Sequence, residues 1–314
     1  MAVSVVIVNY NAGQAIIECI ESIFFQSFAE PIEIIVVDNN SRDGSVEAIV
    51  ERWPGVHVIR NADNLGFGRA ANLGIKASKY HYVLLANPDT ALAPNTVQEL
   101  YQQLMADEDV WLSTCKIVNE NGSIKPSYSG EPSLIHSFLV ATGITSVLRG
   151  LNLTSHLLKL PKKLQHESIA RRRECDDIIE VPVSLGALMF FNKEYIARTG
   201  YFSEDYFMYW EDVDLSLKIR KAGGKIIYNG KTVVTHRGGS FETGVSSRQA
   251  LQSMVNHYYN SERIFWQKNF HKVTAWQAHV LLNVGLFIRK LVHLVLPPKH
   301  KCLVPLPDFS LVRQ

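Results

Sequence analysis

The sequence has few cysteines and no surplus of charge of either sign. Its four cysteines, Cys19, Cys115, Cys175 and Cys302, are widely separated and form no CxxC pair. This spacing excludes a cysteine zinc cluster and indicates reduced thiols in a cytosolic protein. The 32 basic residues are matched by 30 acidic ones among 314, so the overall charge gives no support to a nucleic-acid binder.

The N-terminal residues lack the pattern of a signal peptide. They run directly into the apolar segment Val3–Val8, with no basic region before it and no small-residue cleavage site after it. We therefore interpret this segment as a buried strand. The length of the chain and its hydrophobic content of 46% allow one large domain, or a domain with an appendage.

Short apolar runs alternate with amphipathic stretches over the first 118 residues. Four runs are predicted to be strands: Val3–Val8, Glu33–Val37, Val56–Arg60 and Tyr82–Ala86. Helical spacings lie between them, and Ser41 and Asp43 are available to cap the helix expected from about Ser45 to Arg52. This alternation predicts an α/β fold with a mostly parallel sheet covered on both faces.

Regular structure is predicted again after a less informative middle stretch, residues 125–178, which carries basic clusters at Lys159–Lys163 and Arg171–Arg173. An apolar run, Val181–Phe191, a helix from about Glu211 and a strand Val233–Thr235 follow. We predict one domain over residues 1–240, with regular structure at about 1–118 and again at about 179–240.

Residues 241–314 are predicted to form a helical C-terminal region. Its segment Val280–Leu296 is nearly apolar but contains Arg289, Lys290 and His293. The segment is therefore too short and too charged for a transmembrane helix. An amphipathic helix on a membrane surface fits this pattern, and a helix packed on the catalytic domain is the alternative. Together with the basic middle stretch, this region favours docking on an anionic cytoplasmic leaflet.

Polar residues follow each of the first four predicted strands, where ligands bind in parallel α/β sheets. They are Asn9-Tyr10-Asn11, Asp38-Asn39-Asn40, Asn61–Asn64 and Asn87-Pro88-Asp89. A carboxylate at Asp38 would favour the imide N–H of uracil or thymine. The same residue could instead cap the turn Asp38–Gly44, and spacing does not decide between the two.

Asp89 and His236 are candidate metal ligands, and the sequence supports Asp89 more strongly than His236. Pro88 stiffens the turn that presents Asp89, whose carboxylate could bind Mg²⁺ or Mn²⁺ on diphosphate oxygens. An ordinary turn explains the same triplet, and a lone histidine such as His236 is more often structural. A dinucleotide fingerprint at Gly66-Phe67-Gly68 is rejected because Ala71 replaces its third glycine.

The segment Phe207–Leu215 brings an aromatic run to an acidic helix start. Helix capping explains Glu211, Asp212 and Asp214 but leaves the aromatic residues unexplained. Buried rings beside a carboxylate raise its pKa, which suits a general base acting on a hydroxyl. Rings of this kind could also stack on a sugar.

Six segments in this order resemble glycosyltransferase family 2, over about residues 1–240. They are Val5–Asn11, Val36–Ser41, Asn64–Gly68, Asn87–Asp89, Trp210–Leu215 and His236. Within that family the chain is most similar to rhamnosyltransferase-type members that build bacterial surface polysaccharides. The resemblance implies a GT-A fold, with a nucleotide-sugar half at about 1–118 and an acceptor half at about 179–240, and inversion at the anomeric carbon.

The resemblance also implies roles for single residues. Asp212 would be the catalytic base, and Asp89 and His236 would hold the metal, Mg²⁺ or Mn²⁺. Trp210 and Glu211 would line the acceptor pocket. Nucleotide contacts would come from Val8, Asn9, Tyr10, Asp38, Asn40, Asn64, Gly66, Arg69 and Asn87. Asn87 replaces the first acid of the family's DxD motif, so metal binding would depend more on the donor diphosphate and on His236.

The expected reaction is transfer of a sugar from a nucleotide-diphosphate donor to a hydroxyl of a glycan or lipid-linked acceptor. Rhamnose from dTDP-rhamnose is the first choice. A UDP-sugar-dependent transferase of the galactofuranose or N-acetylglucosamine type is the alternative. A non-catalytic nucleotide-sugar binding partner is disfavoured by the intact Asp89 and Asp212, and a nucleotidyltransferase by the lack of Lys or Arg before Arg42. The expected location is cytoplasmic, peripheral on the inner face of the cell membrane. The sequence does not indicate an oligomeric state.

Overall fold

The computed structural model describes residues 2–144, 176–237 and 247–295. The basic clusters predicted to favour membrane docking, at 159–163 and 171–173, lie outside the described residues. The chain forms two compact units, the first from Met1–Ser129 with Glu174–Gly244 and the second from Gly130–Arg173 with Val245–Gln314. Of the predicted domain 1–240, the described residues 130–144 group with the C-terminal helices, and its boundary at residue 240 stays a prediction.

The first unit begins with the alternation that the apolar runs predict. Its elements are β1 Val3–Asn9, α1 Gln14–Phe24, β2 Ile32–Asp38, α2 Ser45–Arg52, β3 His57–Arg60, α3 Phe67–Ala77 and β4 Tyr82–Ala86. β1 lies between β2 and β4, and all three run parallel. Every residue of β1 is buried, because helices cover both faces of a parallel sheet of this kind.

The remaining elements include strands that extend this sheet, some parallel and some antiparallel to their neighbours. In chain order they are β5 Thr90–Leu92, α4 Thr96–Met105, β6 Val110–Val118, β7 Ile124–Lys125, β8 Tyr128–Ser129, α5 Leu134–Thr142, β9 Ile178–Glu180, β10 Val183–Ser184, β11 Leu188–Asn192, α6 Lys193–Arg198, α7 Glu211–Lys221 and β12 Lys225–His236. Of these, α5 belongs to the second unit. In the described chain the main sheet has the order β3-β2-β1-β4-β11-β6-β12-β5, with β7 on β6 and β9 on β12.

β11 is inserted in the middle of the sheet with reversed direction. It pairs antiparallel with β4 on one side and with β6 on the other, whereas β12 runs parallel to β6. The predicted α/β fold with a mostly parallel sheet flanked by helices is confirmed. The start of β12 was missed, because polar Asn229 and Lys231 interrupt the apolar pattern of a strand that begins at Lys225.

Two hydrophobic layers lie on the two faces of this sheet. Val5 and Ile7 of β1 join one cluster with residues of α1 and α4. Val6 and Val8, which point to the other face, join a second cluster with residues of α3 and α7. The alternation along β1 thus fixes which helices cover which face.

The predicted caps of α2 are only partly correct. Oδ1 of Asp43 accepts a hydrogen bond from the backbone N–H of Ser45 at 3.1 Å, so Asp43 does serve the first turn. Oγ of Ser41 instead accepts from the backbone N–H of Asn11 at 2.9 Å. Ser41 therefore joins the loop after β1 to the loop after β2 rather than capping the helix.

The second unit is helical where it is described. Its helices are α5, α8 Ser247–Asn269 and α9 Lys272–Val295, and their core contains Ala141, Tyr259, Leu282 and Leu286. A Cβ added at Gly285 would lie 2.7 Å from Cβ of Ala141, so the glycine lets α9 approach α5 closely. No helix in the described part of the chain is long and apolar enough to cross a membrane.

The contact between α3 and the sheet predicts the effect of Gly74→Ala. A Cβ at this position would lie 2.4 Å from Cγ1 of Val6 and 3.0 Å from Cγ2 of Val37, so overpacking outweighs the gain in helix propensity. We expect a loss of about 1–3 kcal/mol in the free energy of unfolding, measured by urea denaturation.

Gly55→Ala is the matched control, because a Cβ there meets nothing within 4 Å. We expect it to change stability by less than about 0.5 kcal/mol. If Gly74→Ala were as stable as this control, the close packing of α3 on β1 and β2 would be wrong.

Candidate active site

The buried amide of Asn9 joins the ends of β1 and β2 to the start of α2. Its Nδ2 donates to Oδ1 of Asp38 at 2.9 Å and lies 3.1 Å from Oγ of Ser41 and 3.0 Å from Oγ of Ser45. All three partners lie within residues 38–45, between the end of β2 and the start of α2. These contacts hold the two predicted polar strand ends side by side.

Asp38 performs the turn-stabilising role that was one of its two interpretations. It is 4% exposed, and its Oδ2 accepts a hydrogen bond from the backbone N–H of Ser41 at 3.0 Å. A carboxylate has about four acceptor positions, so these bonds leave room for a further donor. Recognition of a base by Asp38 stays a prediction.

The loop after β3 is fixed by a chain of asparagine contacts. Asn61 donates through Nδ2 to Oδ1 of Asn39 at 2.9 Å, and Nδ2 of Asn39 donates to the carbonyl of Gly66 at 3.2 Å. Gly66 has a φ of +81°, and a Cβ there would lie 2.2 Å from the carbonyl oxygen of Phe207. Only glycine fits this approach, which places residues 61–66 against the aromatic segment before α7.

Helix α3 is attached to the same aromatic segment. Asn72 donates through Nδ2 to the carbonyl of Phe202 at 2.9 Å and accepts its backbone N–H at 3.1 Å. Nε of Arg69 donates to the carbonyl of Glu204 at 3.1 Å. Arg69, a predicted nucleotide contact, is thus held at residue 204. Asn72 was not singled out from the sequence, since an asparagine inside a helix pattern gives no signal.

Asp89 and His236 form a pair at the edge of the sheet. β12 pairs antiparallel with β5 so that His236 lies opposite Thr90, and Oδ1 of Asp89 lies 3.0 Å from Nε2 of His236. Asp89 is 6% exposed. No group of three or more potential metal-ligating side chains occurs among the described residues, so this pair offers two ligands to an ion.

Arg237, which sequence reasoning did not select, secures the end of β12. Its backbone N–H donates to the carbonyl of Asp89 at 3.1 Å. Its guanidinium forms ion pairs with Glu18 of α1 and with Glu120 of the turn after β6. The residue next to His236 therefore connects three elements around the pair.

The acids at the start of α7 follow an unusual stretch of backbone. The backbone of Tyr209 and Trp210 is in the left-handed region, with φ of 69° and 67°. This conformation costs free energy in residues with a large side chain. Asn11 and Asn40, in the loops after β1 and β2, also have positive φ. Backbone strain in the described chain is therefore concentrated where ligand-binding loops are expected.

Asp212 is held by main-chain donors. Its Oδ2 accepts from the N–H of Gly186 at 2.9 Å and its Oδ1 from the N–H of Val213 at 2.8 Å. Burial raises the pKa of the Asp212 carboxyl, and these hydrogen bonds oppose the rise. The expected elevation of the pKa near the aromatic residues is therefore present.

Glu211 is more deeply buried than its neighbour. It is 6% exposed, and its Oε2 has no hydrogen-bond partner in the described chain. Burial, and after it the charge of Asp212, raise the pKa of the Glu211 carboxyl well above its ordinary value. Two adjacent carboxyl groups of this kind resist ionising together.

Asp214 has a structural role within the same motif. It is fully buried, accepts a hydrogen bond from the Tyr206 hydroxyl at 3.2 Å and forms an ion pair with Lys218 at 2.7 Å. It thereby holds the start of the aromatic segment to α7. Capping is therefore an incomplete explanation of the three acids, because Asp214 binds Tyr206 and Lys218 through its side chain.

The antiparallel partner of β4 connects the acids of the two halves through main-chain hydrogen bonds. The N–H of Asn87 donates to the carbonyl of Ala187 at 3.0 Å, and the preceding residue, Gly186, holds Asp212. Asp89 follows Asn87 by two residues. Asp212 and the pair Asp89–His236 are thus all connected to the end of β4.

Comparisons with known proteins show what the chain is similar to. The family model described as Glycosyl transferase family 2 matches residues 4–154. The chain is 29% identical over 245 residues to an N-acetylglucosaminyl-diphospho-decaprenol L-rhamnosyltransferase of Mycobacterium tuberculosis, covering 74% of this chain and 75% of the relative.

Solved structures share the fold at low sequence identity. A mannosyltransferase of Pyrobaculum calidifontis in complex with GDP-Man and Mn²⁺ superposes with a TM-score of 0.56 at 17% identity, covering 93% of this chain and 74% of that one. GalNAc-T7 with UDP, GalNAc and Mn²⁺ also gives 0.56 at 17%, covering 85% of this chain and 48% of that one. The chain thus spans about half the length of GalNAc-T7.

The chain is similar to glycosyltransferase family 2 over residues 4–154, is rhamnosyltransferase-like and has the GT-A fold.

The burial of Glu211 predicts a pH-dependent effect of Glu211→Gln on stability. Because the pKa of Glu211 is raised in the folded state, the folded protein keeps a proton that the unfolded chain has lost, and stability falls as pH rises above the ordinary value near 4.5. Glu211→Gln removes this loss. We expect it to raise the free energy of unfolding by about 1 kcal/mol or more at about pH 8, with no gain at about pH 4.

Denaturant unfolding at both pH values measures this difference. Glu51→Gln, an exposed change on α2, is the control and should show no pH-dependent gain. A Glu211→Gln protein that lost stability at high pH would show that the carboxylate is held charged by a favourable partner.

Proposed function

We propose that the protein is an inverting glycosyltransferase that moves a sugar from a nucleotide-diphosphate donor to a hydroxyl of a glycan or lipid-linked acceptor. The observation that supports this proposal is the connection of Asp212, through Gly186 and Ala187, to the strand end that carries Asn87 and Asp89. A base for the acceptor and a site for the diphosphate would thereby lie beside the adjoining ends of β4 and β11. A one-step displacement needs both at once.

Asp212 is the proposed general base. Its raised pKa makes it a better proton acceptor than an exposed aspartate, and the N–H of Gly186 fixes its orientation. It would take the acceptor hydroxyl proton as that oxygen attacks the anomeric carbon opposite the diphosphate. The new bond to the acceptor forms as the bond to the diphosphate breaks, which inverts the configuration. Trp210 and Glu211, at the same turn, are the proposed acceptor-lining residues.

Asp89 and His236 fit a divalent cation, Mg²⁺ or Mn²⁺. A carboxylate oxygen and an imidazole nitrogen 3.0 Å apart offer adjacent ligands, and both are acceptable to Mn²⁺. Because Asn87 adds no charge, the donor diphosphate would complete the coordination. A bound ion would offset the charge that develops on the leaving diphosphate. The Mn²⁺ in two structures of the same fold supports this assignment.

The loops after β1, β2 and β3 are the proposed nucleotide site. Their contributors would be Val8, Asn9, Tyr10, Asp38, Asn40, Asn64 and Gly66, with Arg69 and Asn87. A thymine or uracil base would be read through its imide N–H by Asp38. dTDP-rhamnose is the preferred donor because a relative is an L-rhamnosyltransferase. The alternative is a UDP-sugar of the galactofuranose or N-acetylglucosamine type.

A lipid-linked acceptor in surface polysaccharide synthesis is the preferred substrate. The mycobacterial relative is named for an N-acetylglucosaminyl-diphospho-decaprenol substrate. Such an acceptor would place the enzyme on the inner face of the cell membrane, as a cytoplasmic protein in peripheral contact.

Asp212→Asn tests the assigned base. The change keeps the size of the side chain but removes proton acceptance, so we expect kcat to fall by about 10²–10⁴-fold while donor binding persists. Transfer kinetics and calorimetric titration with the donor nucleotide measure the two quantities. Asp109→Asn, an exposed change at the start of β6, should leave kcat unaltered. Full turnover in Asp212→Asn would exclude Asp212 as the base.

His236→Gln tests the metal site. Removal of the imidazole leaves Asp89 as the sole ligand of the pair. We therefore expect the Mn²⁺ concentration at half-maximal activation to rise by about tenfold or more. Donor hydrolysis is measured across dTDP- and UDP-sugars with increasing Mn²⁺, which also identifies the donor. The control is His57→Gln, an exposed change on β3. Equal Mn²⁺ dependence in His236→Gln and wild type would contradict the assignment.

A further inference from the structure

Helix α9 has two apolar faces, and the described residues of the chain cover only one of them. Ala278, Leu282 and Leu286 are buried in the core of the second unit. On the other side an apolar stripe is exposed, formed by Val273, Trp276, Val280, Val284, Phe287, Leu291 and Leu294. Its members follow one another at intervals of three and four residues, so they lie on one side of the helix for about 30 Å.

The stripe is exposed along its whole length and includes large rings. Trp276 is 65% exposed, Phe287 60% and Leu294 76%. Single exposed apolar residues need no explanation, but a contiguous stripe of this length marks an interaction surface. Tryptophan is favoured at membrane interfaces, where its ring spans the boundary between the headgroups and the acyl chains.

The charges around the stripe have one sign. No aspartate or glutamate occurs between Glu262 and Asp308, an interval that contains seven lysines and arginines. Lys272 and Lys290 are exposed and lie about five turns apart, on the same flank of the stripe. An apolar face beside a purely basic flank is complementary to an anionic lipid surface.

A second copy of the chain is a poorer occupant of this surface. Helices that pair through a stripe of this spacing use opposite charges on the flanking positions. α9 has no acidic residue to pair with Lys272 or Lys290, so two α9 helices would bring like charges together.

We propose that the exposed stripe of α9 is the membrane-docking surface of this protein and that it inserts into the headgroup region of an anionic bilayer. This deepens the proposed function, because a surface-bound enzyme would meet a lipid-linked acceptor in its own plane. The binding itself requires neither donor nor transfer. It can therefore be tested without the reaction.

Flotation of the full-length protein tests the proposal. We expect binding to vesicles of phosphatidylcholine with phosphatidylglycerol and much weaker binding to phosphatidylcholine alone. The double change W276S/F287S should lower the binding constant about tenfold or more. F24S/F25S, which removes two exposed rings of the first unit, is the matched control and should float as wild type. Equal flotation of W276S/F287S and wild type would overturn the proposal.

The conservative change W276F is a control for loss of membrane binding through misfolding. Brominated lipid in the vesicles should quench the fluorescence of the wild-type protein, and W276F should lose most of that quenching while still floating. Equal quenching in both proteins would place Trp276 outside the bilayer and overturn the proposal. So would a wild-type dimer that W276S/F287S converts to monomers with no change in flotation, which would assign the stripe to a second copy.

The basic flank has its own test. K272Q/K290Q should weaken binding to anionic vesicles and reduce its salt dependence, and K79Q/K221Q, in the first unit, should do neither. Salt-independent binding by the wild type would show that lipid charge does not contribute to the binding. Donor hydrolysis measured without vesicles reports on the proposed function alone, so failure of one proposal does not imply failure of the other.

Discussion

The antiparallel pairing of β11 with β4 is the constraint on which the candidate active site depends. Its hydrogen bond between the N–H of Asn87 and the carbonyl of Ala187 fixes the end of the strand that carries the nucleotide-side residues. The residue before Ala187 uses its own N–H to hold Asp212. One register therefore sets the spacing between the residues of the first half of the chain and those of the second. A one-residue slip would separate them, because alternate residues face opposite sides of a sheet.

Around this pairing the polar groups of the strand ends stabilise one another. Asn9 holds Asp38, Asn61 holds Asn39, and Asn39 holds the loop that ends at Gly66. Because these amides connect one loop to the next, they leave few alternative conformations to the loops. The positive φ of Asn11, Asn40, Tyr209 and Trp210 is the accompanying cost. A strained but well-supported loop presents its side chains in a fixed geometry, as a site for a flexible substrate requires.

Much of the fold could be predicted from the sequence, because its dominant signals are local. Apolar runs and three- and four-residue spacings correctly indicated the strands and helices of the first 86 residues. The reversed direction of β11 could not be read, since an apolar run is the same in either direction. Asp38 shows the limit for single residues: spacing allowed two roles, and only coordinates revealed its bond to Ser41. Arg237 and Gly186 gave no signal because they act through long-range contacts. In α9 a nearly continuous apolar pattern concealed two distinct faces.

The second unit is built from two distant pieces of chain, and this determines when it can form. α5 packs against α9, with Gly285 allowing the close approach to Ala141, although more than a hundred residues separate them in sequence. During synthesis α5 leaves the ribosome long before its partner, so its apolar side must wait for the last helix or be shielded by a chaperone. A chain shortened before α9 would leave α5 permanently without this contact. Losses near the C-terminus should therefore harm the fold well upstream of where they occur.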